Sequence, residues 1–285
     1  MPEGPEIERV RDELLILENV RLREVSFTPS ALTNQRYREQ QDRAALIRAK
    51  VLEKLERRGK YLIWWFESLP ALNHFGMTGT WSLEKSAEGP ATSESSKYAK
   101  VILNFEGGNR AIFEDMRNFG RFQVYDSEED MLARVPRLKT LGIHGLQANF
   151  PQKRFEKLLD LPVSRDKPLA EALTSSRVVS DIGNMYKSEI LFVAKLNPTT
   201  TATQLSSTEK RRLGRAIRLV LKRAYENDGV TIEDVQSPSS LEQPVDVHYV
   251  YGKKGRPCPS CGEGIERFIQ SQRSTYFCPK CQVPK

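Results

Sequence analysis

The chain has 285 residues, of which 39% are hydrophobic and 28% charged, and its formal net charge is +7. This composition excludes a disordered chain, because it supplies enough apolar side chains for a sizeable core. The basic balance favours an anionic partner, either nucleic acid or an acidic membrane surface, although a basic protein without such a partner is the alternative. No apolar run approaches the roughly 18 residues of a membrane span, and the N-terminus is acidic where a secretory signal is basic. We therefore expect an intracellular protein, in the cytoplasm or the nucleus.

The first half of the chain predicts one helix followed by strands. Residues 5–18 indicate a helix, because Pro5 suits a first helical position and apolar residues recur at helical spacing. From about residue 20 to 126, short apolar or alternating runs separated by turn residues indicate strands of a sandwich or barrel. Two of these runs flank EGGN, which predicts a hairpin turn. The small, polar segment 86–96 predicts a loop.

After about residue 130 the pattern becomes helical. Four segments predict helices, namely KRFEKLLDL, KPLAEALTS, MYKSEILFVAKL and STEKRRLGRAIRLVLKRAYEN. The fourth predicted helix has a basic exposed side, which by itself indicates only a face in contact with solvent. The Pro- and Ser-rich segment 235–246 predicts a long loop or linker.

All four cysteines of the chain lie near its end. They form two Cys-x2-Cys pairs separated by 16 residues, and this spacing is typical of a zinc ribbon. Four thiolates complete a tetrahedron and leave no open position, so we expect one structural zinc. Two disulfides are the alternative. The expected ligands are Cys258, Cys261, Cys278 and Cys281.

Six motifs in this order closely resemble the Fpg/Nei family of DNA glycosylases, which includes formamidopyrimidine-DNA glycosylase and endonuclease VIII. They are MPEGPE at the start, RRGKYL at 57–62, HFGMTG at 74–79, DMRNFGRF at 115–122, IGNMYKSEIL at 182–191, and VYGKKGRPCPSC with QRSTYFCPKC between 250 and 281. The resemblance covers essentially the whole chain.

The resemblance implies an α+β multidomain fold. An N-terminal helix and β-sandwich form a catalytic domain over 1–130, and a linker follows over 131–150. A helical helix-two-turns-helix domain with a loop occupies 151–246, and a zinc-ribbon finger hairpin occupies 247–285. The implied activity is that of a bifunctional DNA glycosylase and AP lyase of base excision repair, which removes oxidised bases and cleaves the strand by β,δ-elimination. The expected partner is damaged DNA, bound by a monomer.

The family's catalytic residues fall on Pro2, Glu3, Lys60 and Arg273. Removal of Met1 is expected to leave Pro2 as the terminus. Its nitrogen is then a secondary amine, whose pKa is expected in the α-amino range of roughly 7.7–8.0. Such an amine attacks C1′ of the nucleotide and becomes a Schiff base. Glu3 is expected to shuttle protons. By resemblance Lys60 contacts phosphate and serves β-elimination, while Arg273 grips phosphates and serves δ-elimination.

Further residues are matched to DNA contacts. Glu6 supports the site or simply favours the helix start. Asn184 and His74 match phosphate-contacting positions, and Glu189 matches a carboxylate of the same motif as Asn184. Asp181 stands where the family usually has glycine, and a carboxylate near phosphate predicts a looser corner.

A flipped-out nucleotide leaves a gap in the DNA stack that must be filled. Met77, Arg117 and Phe119 match the family's intercalating trio, in which Met and Phe are wedges and Arg bonds to the orphaned base. The opening PEGPE looks like the endonuclease VIII branch, whereas the trio and the segment 228–246 look like the formamidopyrimidine branch. Base preference therefore stays open.

Two other classes of protein compete with a glycosylase. The first is a non-catalytic zinc-ribbon protein that recognises damaged DNA, which would not need Pro2, Glu3 and Lys60 together. The second is a membrane-surface protein, which is disfavoured because no concentrated amphipathic helix of Lys and Trp appears.

Overall fold

The computed structural model describes residues 2–85, 96–227 and 248–285. These residues divide into two compact units, with a boundary between Lys139 and Thr140. The N-terminal unit comprises Pro2 and Glu6–Lys139, and the C-terminal unit comprises Glu3–Pro5 together with the described part of Thr140–Lys285. The predicted loop over 86–96 lies outside the described residues except for its last residue, and the segment 228–246 lies outside them entirely.

The chain begins with helix α1, which is followed by short helices and the strands of two sheets. The helices are α1 (Gly4–Leu14), α2 (Pro29–Leu32), α3 (Gln35–Arg38), α4 (Gln41–Ala44) and α5 (Glu128–Arg134). The strands are β1 (Leu22–Phe27), β2 (Leu52–Arg58), β3 (Tyr61–Phe66), β4 (Leu69–His74), β5 (Thr80–Lys85), β6 (Ala99–Phe105), β7 (Asn109–Glu114) and β8 (Arg121–Val124). Single 3-10 turns occupy Leu15–Leu17, Ala45–Ile47, Glu106–Gly108 and Pro136–Thr140.

The strands form two antiparallel four-stranded sheets, in the orders β1-β6-β7-β5 and β2-β3-β4-β8. Trp64 from the second sheet lies 4.7 Å, centroid to centroid, from Trp81 of the first, and Trp81 lies 5.3 Å from Phe113. These rings are buried, so the two sheets enclose one aromatic core. The β-sandwich prediction is confirmed, as is the hairpin turn between β6 and β7.

The prediction of strands throughout residues 20–126 is wrong for residues 29–47, which form α2, α3, α4 and a 3-10 turn. Thr28 and Asn34 cap two of these helices by accepting backbone amides with their side chains. The apolar side of the segment contributes Tyr37 and Ile47 to the core. Each helix is only one turn long, which is too short for helical periodicity to appear in the sequence.

The C-terminal unit is helical and ends in a hairpin. Its elements are α6 (Gln152–Leu159), α7 (Leu169–Thr174), α8 (Asn184–Val193), α9 (Ser207–Glu226), β9 (Glu266–Gln270) and β10 (Arg273–Phe277). A capping box between Ser206 and Glu209 starts α9. Helix α8 packs against α7, α9 and β10, and its residues from Met185 to Phe192 are all buried. This helix is therefore the central element on which the site is built.

The observed boundaries differ in detail from the expected domains. The segment expected as a linker, 131–150, contains most of α5 and the turn Pro136–Thr140. The helices of the C-terminal unit and the zinc hairpin lie in one compact unit. In the part of the chain that the structure describes, none of the helices has the length and apolar character that a bilayer crossing requires.

Candidate active site and zinc centre

The Glu3 carboxylate lies buried at the N-terminus of α8, with 1% of the residue exposed. It accepts hydrogen bonds from the amides of Gly183 at 2.5 Å, Met185 at 2.9 Å and Tyr186 at 3.4 Å. First-turn amides have no partner within the helix, so a carboxylate is well suited to them. A Cβ at Gly183 would lie 2.3 Å from a Glu3 oxygen, which explains the glycine. Glu3 is thus fixed in place, and in the chain it directly follows Pro2.

A second contact ties the start of the chain to residue 181. The Gly4 amide donates to the Asp181 carbonyl at 2.9 Å, and a Cβ on Gly4 would lie 2.4 Å from that of Asp181. The Asp181 carboxylate is fully buried and accepts from the Gly145 amide at 2.5 Å and the Ser180 hydroxyl at 3.1 Å. The expectation that Asp181 loosens the segment before α8 by repelling phosphate is therefore wrong. Its carboxylate points into the protein and holds this segment through hydrogen bonds.

Replacing Asp181 by alanine should lower the free energy of unfolding by about 2 kcal/mol, because it leaves the buried Gly145 amide without its acceptor. Urea unfolding followed by circular dichroism measures this change. Asp166→Ala is the matched control, since that side chain is 66% exposed and should change stability by less than about 0.5 kcal/mol. Equal stability of the two variants would contradict the bracing role.

Glu189, for which the resemblance implied a DNA contact, lies buried against the backbone. Its carboxylate is buried and accepts from the amides of Tyr249 at 2.6 Å, Val250 at 2.9 Å and Tyr251 at 2.8 Å. Burial raises the pKa of this carboxyl, and the three amides offset part of the rise. Glu189 therefore fastens the segment that leads into the zinc hairpin to α8.

The four cysteine sulfurs form a compact cluster, with all ligand atoms within 4.8 Å of one another. Cys258 and Cys281 have their sulfurs 3.9 Å apart, and those of Cys261 and Cys278 are 3.5 Å apart. A tetrahedral Zn–S site requires about 3.8 Å between sulfurs, whereas a disulfide requires about 2.05 Å. The cluster fits zinc, so the chain holds one structural zinc, as predicted. Gln282 anchors it by accepting from the Cys278 amide at 2.9 Å and donating to Leu196 at 2.9 Å.

Arg273 is exposed at the start of β10, next to the hairpin turn. The turn residues Ser271 and Gln272 both have positive φ, 45° and 61°, which two-residue hairpin turns require. The Ser271 hydroxyl donates to the Glu171 carboxylate at 3.0 Å and so fixes the tip to α7. Asn184 begins α8, and its buried Oδ1 has no hydrogen-bond partner within the described residues. Of the predicted phosphate contacts, Asn184 and Arg273 thus lie in the C-terminal unit.

In the N-terminal unit, His74 lies in a cluster of cations. Its pKa is lowered to about 4, mainly by burial and also by the charges of Arg121, Lys60 and Arg137. The imidazole is therefore neutral at pH 7. Its Nδ1 accepts from the Gly76 amide at 3.1 Å, which leaves the proton on Nε2. Sequence reasoning missed Arg121 and Arg137, although Arg121 stands directly opposite His74 across β4 and β8.

The expected intercalating residues lie on two loops of the N-terminal unit. Met77 is 37% exposed and Phe119 is 49% exposed, and the Arg117 guanidinium lies 5.3 Å from the Phe119 ring centroid. The buried Asp115 joins the loops, because it accepts from the Thr78 hydroxyl at 2.5 Å and from the Arg117 amide at 3.2 Å. Asp115 was not predicted, since nothing in its sequence context distinguishes it from a surface carboxylate.

The remaining predicted residues are near the start of the chain. Pro2 is half-buried, and Glu6 is a half-buried carboxylate in the first turn of α1. The position of Glu6 agrees with a helix-start role.

Three family models match successive parts of the chain. The formamidopyrimidine-DNA glycosylase N-terminal domain matches residues 1–122, and the H2TH domain of the same enzyme matches 141–236. The zinc finger found in FPG and IleRS matches 255–283. The order of these domains is that of the elements described above.

Curated relatives and solved structures agree with the domain matches. Formamidopyrimidine-DNA glycosylase of Thermus thermophilus is 35% identical over 99% of this chain and 98% of its own length. The relative from Ligilactobacillus salivarius is 31% identical over the full length of both chains. The crystal structure of the Thermus thermophilus MutM (Fpg) protein covers 100% of both chains with a TM-score of 0.81 and 32% identity. The structure of Lactococcus lactis Fpg in complex with abasic-site DNA has a TM-score of 0.80 and 26% identity, and the match covers 99% of this chain and 100% of the Lactococcus chain.

A β-sandwich, an H2TH helical domain and a zinc finger with four cysteine ligands define a DNA glycosylase of base excision repair that is also an AP lyase. The chain belongs to the Fpg/Nei family.

Proposed function

We propose that this protein excises oxidised bases through the secondary amine of Pro2, once Met1 has been removed, and then cleaves the strand at the same nucleotide. The observation that carries the proposal is the anchoring of Glu3. Its buried carboxylate is bound by three amides at the start of α8, which fixes the residue that follows Pro2 in the chain. Precise placement of a reacting group is a large part of enzymatic rate acceleration.

The chemistry assigns each step to one group. The Pro2 nitrogen attacks C1′, the bond from C1′ to the base breaks, and the base leaves with a proton. Opening of the sugar gives a cationic Schiff base, while Glu3 exchanges the protons at the sugar oxygen. Water then takes the C2′ proton, the bond from C3′ to oxygen breaks, and the 3′ phosphate leaves with its electron pair while Lys60 donates a proton to that oxygen. A second elimination, assisted by Arg273, releases the C5′ phosphate, and water frees Pro2.

Phosphate binding is assigned to both units. In the N-terminal unit, the neutral His74 presents its Nε2 proton among the charges of Lys60, Arg121 and Arg137, a combination suited to a phosphate oxygen. In the C-terminal unit, Asn184 and Arg273 supply donors. Met77 and Phe119 are the wedges and Arg117 the partner of the orphaned base, because all three side chains project into solvent from braced loops.

The comparisons favour oxidised purines as substrates. The related Lactococcus lactis Fpg has been solved with Fapy-dG DNA, and MutM with DNA containing carbocyclic 8-oxo-G. We extend these ligands to this chain, and we propose that it works as a monomer inside the cell, where its DNA substrate is.

Borohydride trapping tests the proposal directly. The protein is incubated with duplexes that contain 8-oxoguanine, a formamidopyrimidine or thymine glycol, and borohydride reduces any Schiff base to a stable amine. We expect a covalent adduct, formed fastest with the two purine lesions. Tight binding without any adduct would instead identify a non-catalytic protein that recognises damaged DNA, and a preference for thymine glycol would overturn the lesion assignment.

A further inference from the structure

A cavity of about 270 Å³ lies in the C-terminal unit, among α7, α8 and the tip of the zinc hairpin. Its lining residues include the cations Lys187 and Arg273 and the hydroxyl-bearing residues Thr174, Ser175 and Ser271. A water molecule occupies about 30 Å³ of liquid volume, so a phosphate group and several waters fit inside.

Lys187 is the unexpected member of this lining. It lies near the start of α8 and only 1% of the residue is exposed. Within the described residues its ammonium makes neither a hydrogen bond nor an ion pair, although buried lysines are almost always paired. Its pKa is lowered to about 8, mainly by burial and also by the charge of Arg273, while the charge of Glu3 offsets part of the shift.

Within the described residues neither Lys187 nor Arg273 forms an ion pair with a carboxylate, although the charge of Glu3 acts on Lys187. The rim lysine, Lys167, is paired with Glu171 at 2.9 Å, and the same carboxylate also accepts from Ser271. Lys187 and Arg273 face one cavity without such a partner in this part of the structure. The buried Lys187 ammonium and the exposed Arg273 guanidinium are like charges and repel each other. An anion placed between them would remove that repulsion and supply hydrogen bonds to both.

We propose that this cavity is a phosphate subsite in which Lys187 and Arg273 together bind one phosphate group. The phosphate is either a backbone phosphodiester of the bound strand or the terminal phosphate left by strand cleavage. The identity of the ligand in this assignment rests on the proposed function. The assignment adds Lys187 to the phosphate-binding residues, and the sequence analysis gave Lys187 no role. In this proposal the buried ammonium of Lys187 contributes to phosphate binding and does not contribute to the free energy of unfolding.

The test compares the zinc-loaded full chain with Lys187→Met, Lys187→Arg and Lys157→Gln. The control removes an exposed lysine from α6. The first measurement is affinity for a duplex with a tetrahydrofuran abasic analogue over a range of salt concentrations. We expect Lys187→Met to bind about tenfold more weakly and to lower the slope of log K against log salt by about 0.9. Lys187→Arg should retain most of the affinity, and Lys157→Gln should stay within about twofold of wild type.

The second measurement is the Tm without DNA, at matched concentrations of inorganic phosphate. General stabilisation by phosphate acts on every variant equally, whereas a specific site raises Tm further only where Lys187 is present. A response in the DNA arm alone identifies the backbone phosphodiester, and a response in both arms identifies a terminal phosphate. Without ligand, Lys187→Met should melt at the same temperature as wild type or higher, because it removes an unpaired buried charge.

Wild-type behaviour of Lys187→Met in both arms would overturn the subsite. If Lys187→Met does not fold, Lys187→Gln is measured in its place and read in the same way. Both arms measure binding and need no covalent chemistry. A wild-type protein that fails borohydride trapping would therefore refute the proposed function without affecting the reading of the subsite.

Discussion

Replacing Pro2 by glycine should reduce strand cleavage and borohydride trapping at least about 100-fold, while affinity for abasic-analogue DNA stays within about twofold. Glycine keeps an amine at the terminus but loses the ring that holds the nitrogen stiffly before the anchored Glu3. A displacement of about 1 Å at a reacting atom is enough for a loss of this size. A primary amine also gives a neutral imine that must gain a proton, whereas proline gives the cationic Schiff base at once.

Single-turnover cleavage and quantified trapping measure this effect, and filter binding measures affinity. Pro162→Gly is the matched control, because Pro162 is exposed and lies outside the site. Mass spectrometry of the active protein must show that Met1 is absent. Full activity in chains that keep Met1, or unchanged trapping by Pro2→Gly, would rule out the terminal amine as nucleophile.

Removal of zinc should reduce affinity for abasic-analogue DNA by at least about 100-fold, through loss of the phosphate contacts of the finger. The hairpin of β9 and β10 has two strands, and an isolated two-stranded hairpin is marginally stable at best. Its cohesion depends on the metal, which the thiolates of Cys258, Cys261, Cys278 and Cys281 hold in a closed site. Unfolding of the hairpin would release Arg273 from its place beside α7.

Chelation and Cys278→Ser are two independent routes to the zinc-free protein. Fluorescence anisotropy reports DNA binding, and near-ultraviolet circular dichroism reports the packing of the hairpin. Ser260→Ala is the control, since this exposed residue lies between two ligands without binding metal. Addition of zinc should restore binding after chelation but not in Cys278→Ser. Undiminished affinity in either zinc-free form would show that the finger does not depend on its metal.

The sequence revealed best those features that depend on spacing or periodicity. Cysteine spacing alone predicted the zinc ligands. Turn residues between apolar runs predicted a sandwich or a barrel, and the resemblance implied the sandwich. Pro2 and Glu3 were recognisable only through resemblance, because a carboxylate at position 3 is by itself a surface charge. The anchoring of Glu3 on α8 joins residues about 180 positions apart, and no local pattern encodes such a contact.

Other features escaped prediction for physical reasons that can be named. Lys187, Ser188 and Glu189 are polar but buried, so α8 has almost no polar face for a periodicity argument to detect. Asp181 was expected to face phosphate, whereas its carboxylate turns inward to Gly145. Both cases are buried polar groups, whose partners come from distant parts of the chain and become visible only when the fold is known.

Helix α8 makes the start of the chain and the finger members of one cooperative unit. Its N-terminus holds Glu3, the Ser188 hydroxyl in its middle accepts from the Tyr276 amide at 3.4 Å, and Glu189 holds the segment that approaches the metal. If this helix opens, the start of the chain and the zinc hairpin lose these contacts in the same event. We therefore expect local unfolding of α8 to remove the anchoring of Glu3 and the packing of the hairpin together, and not one without the other.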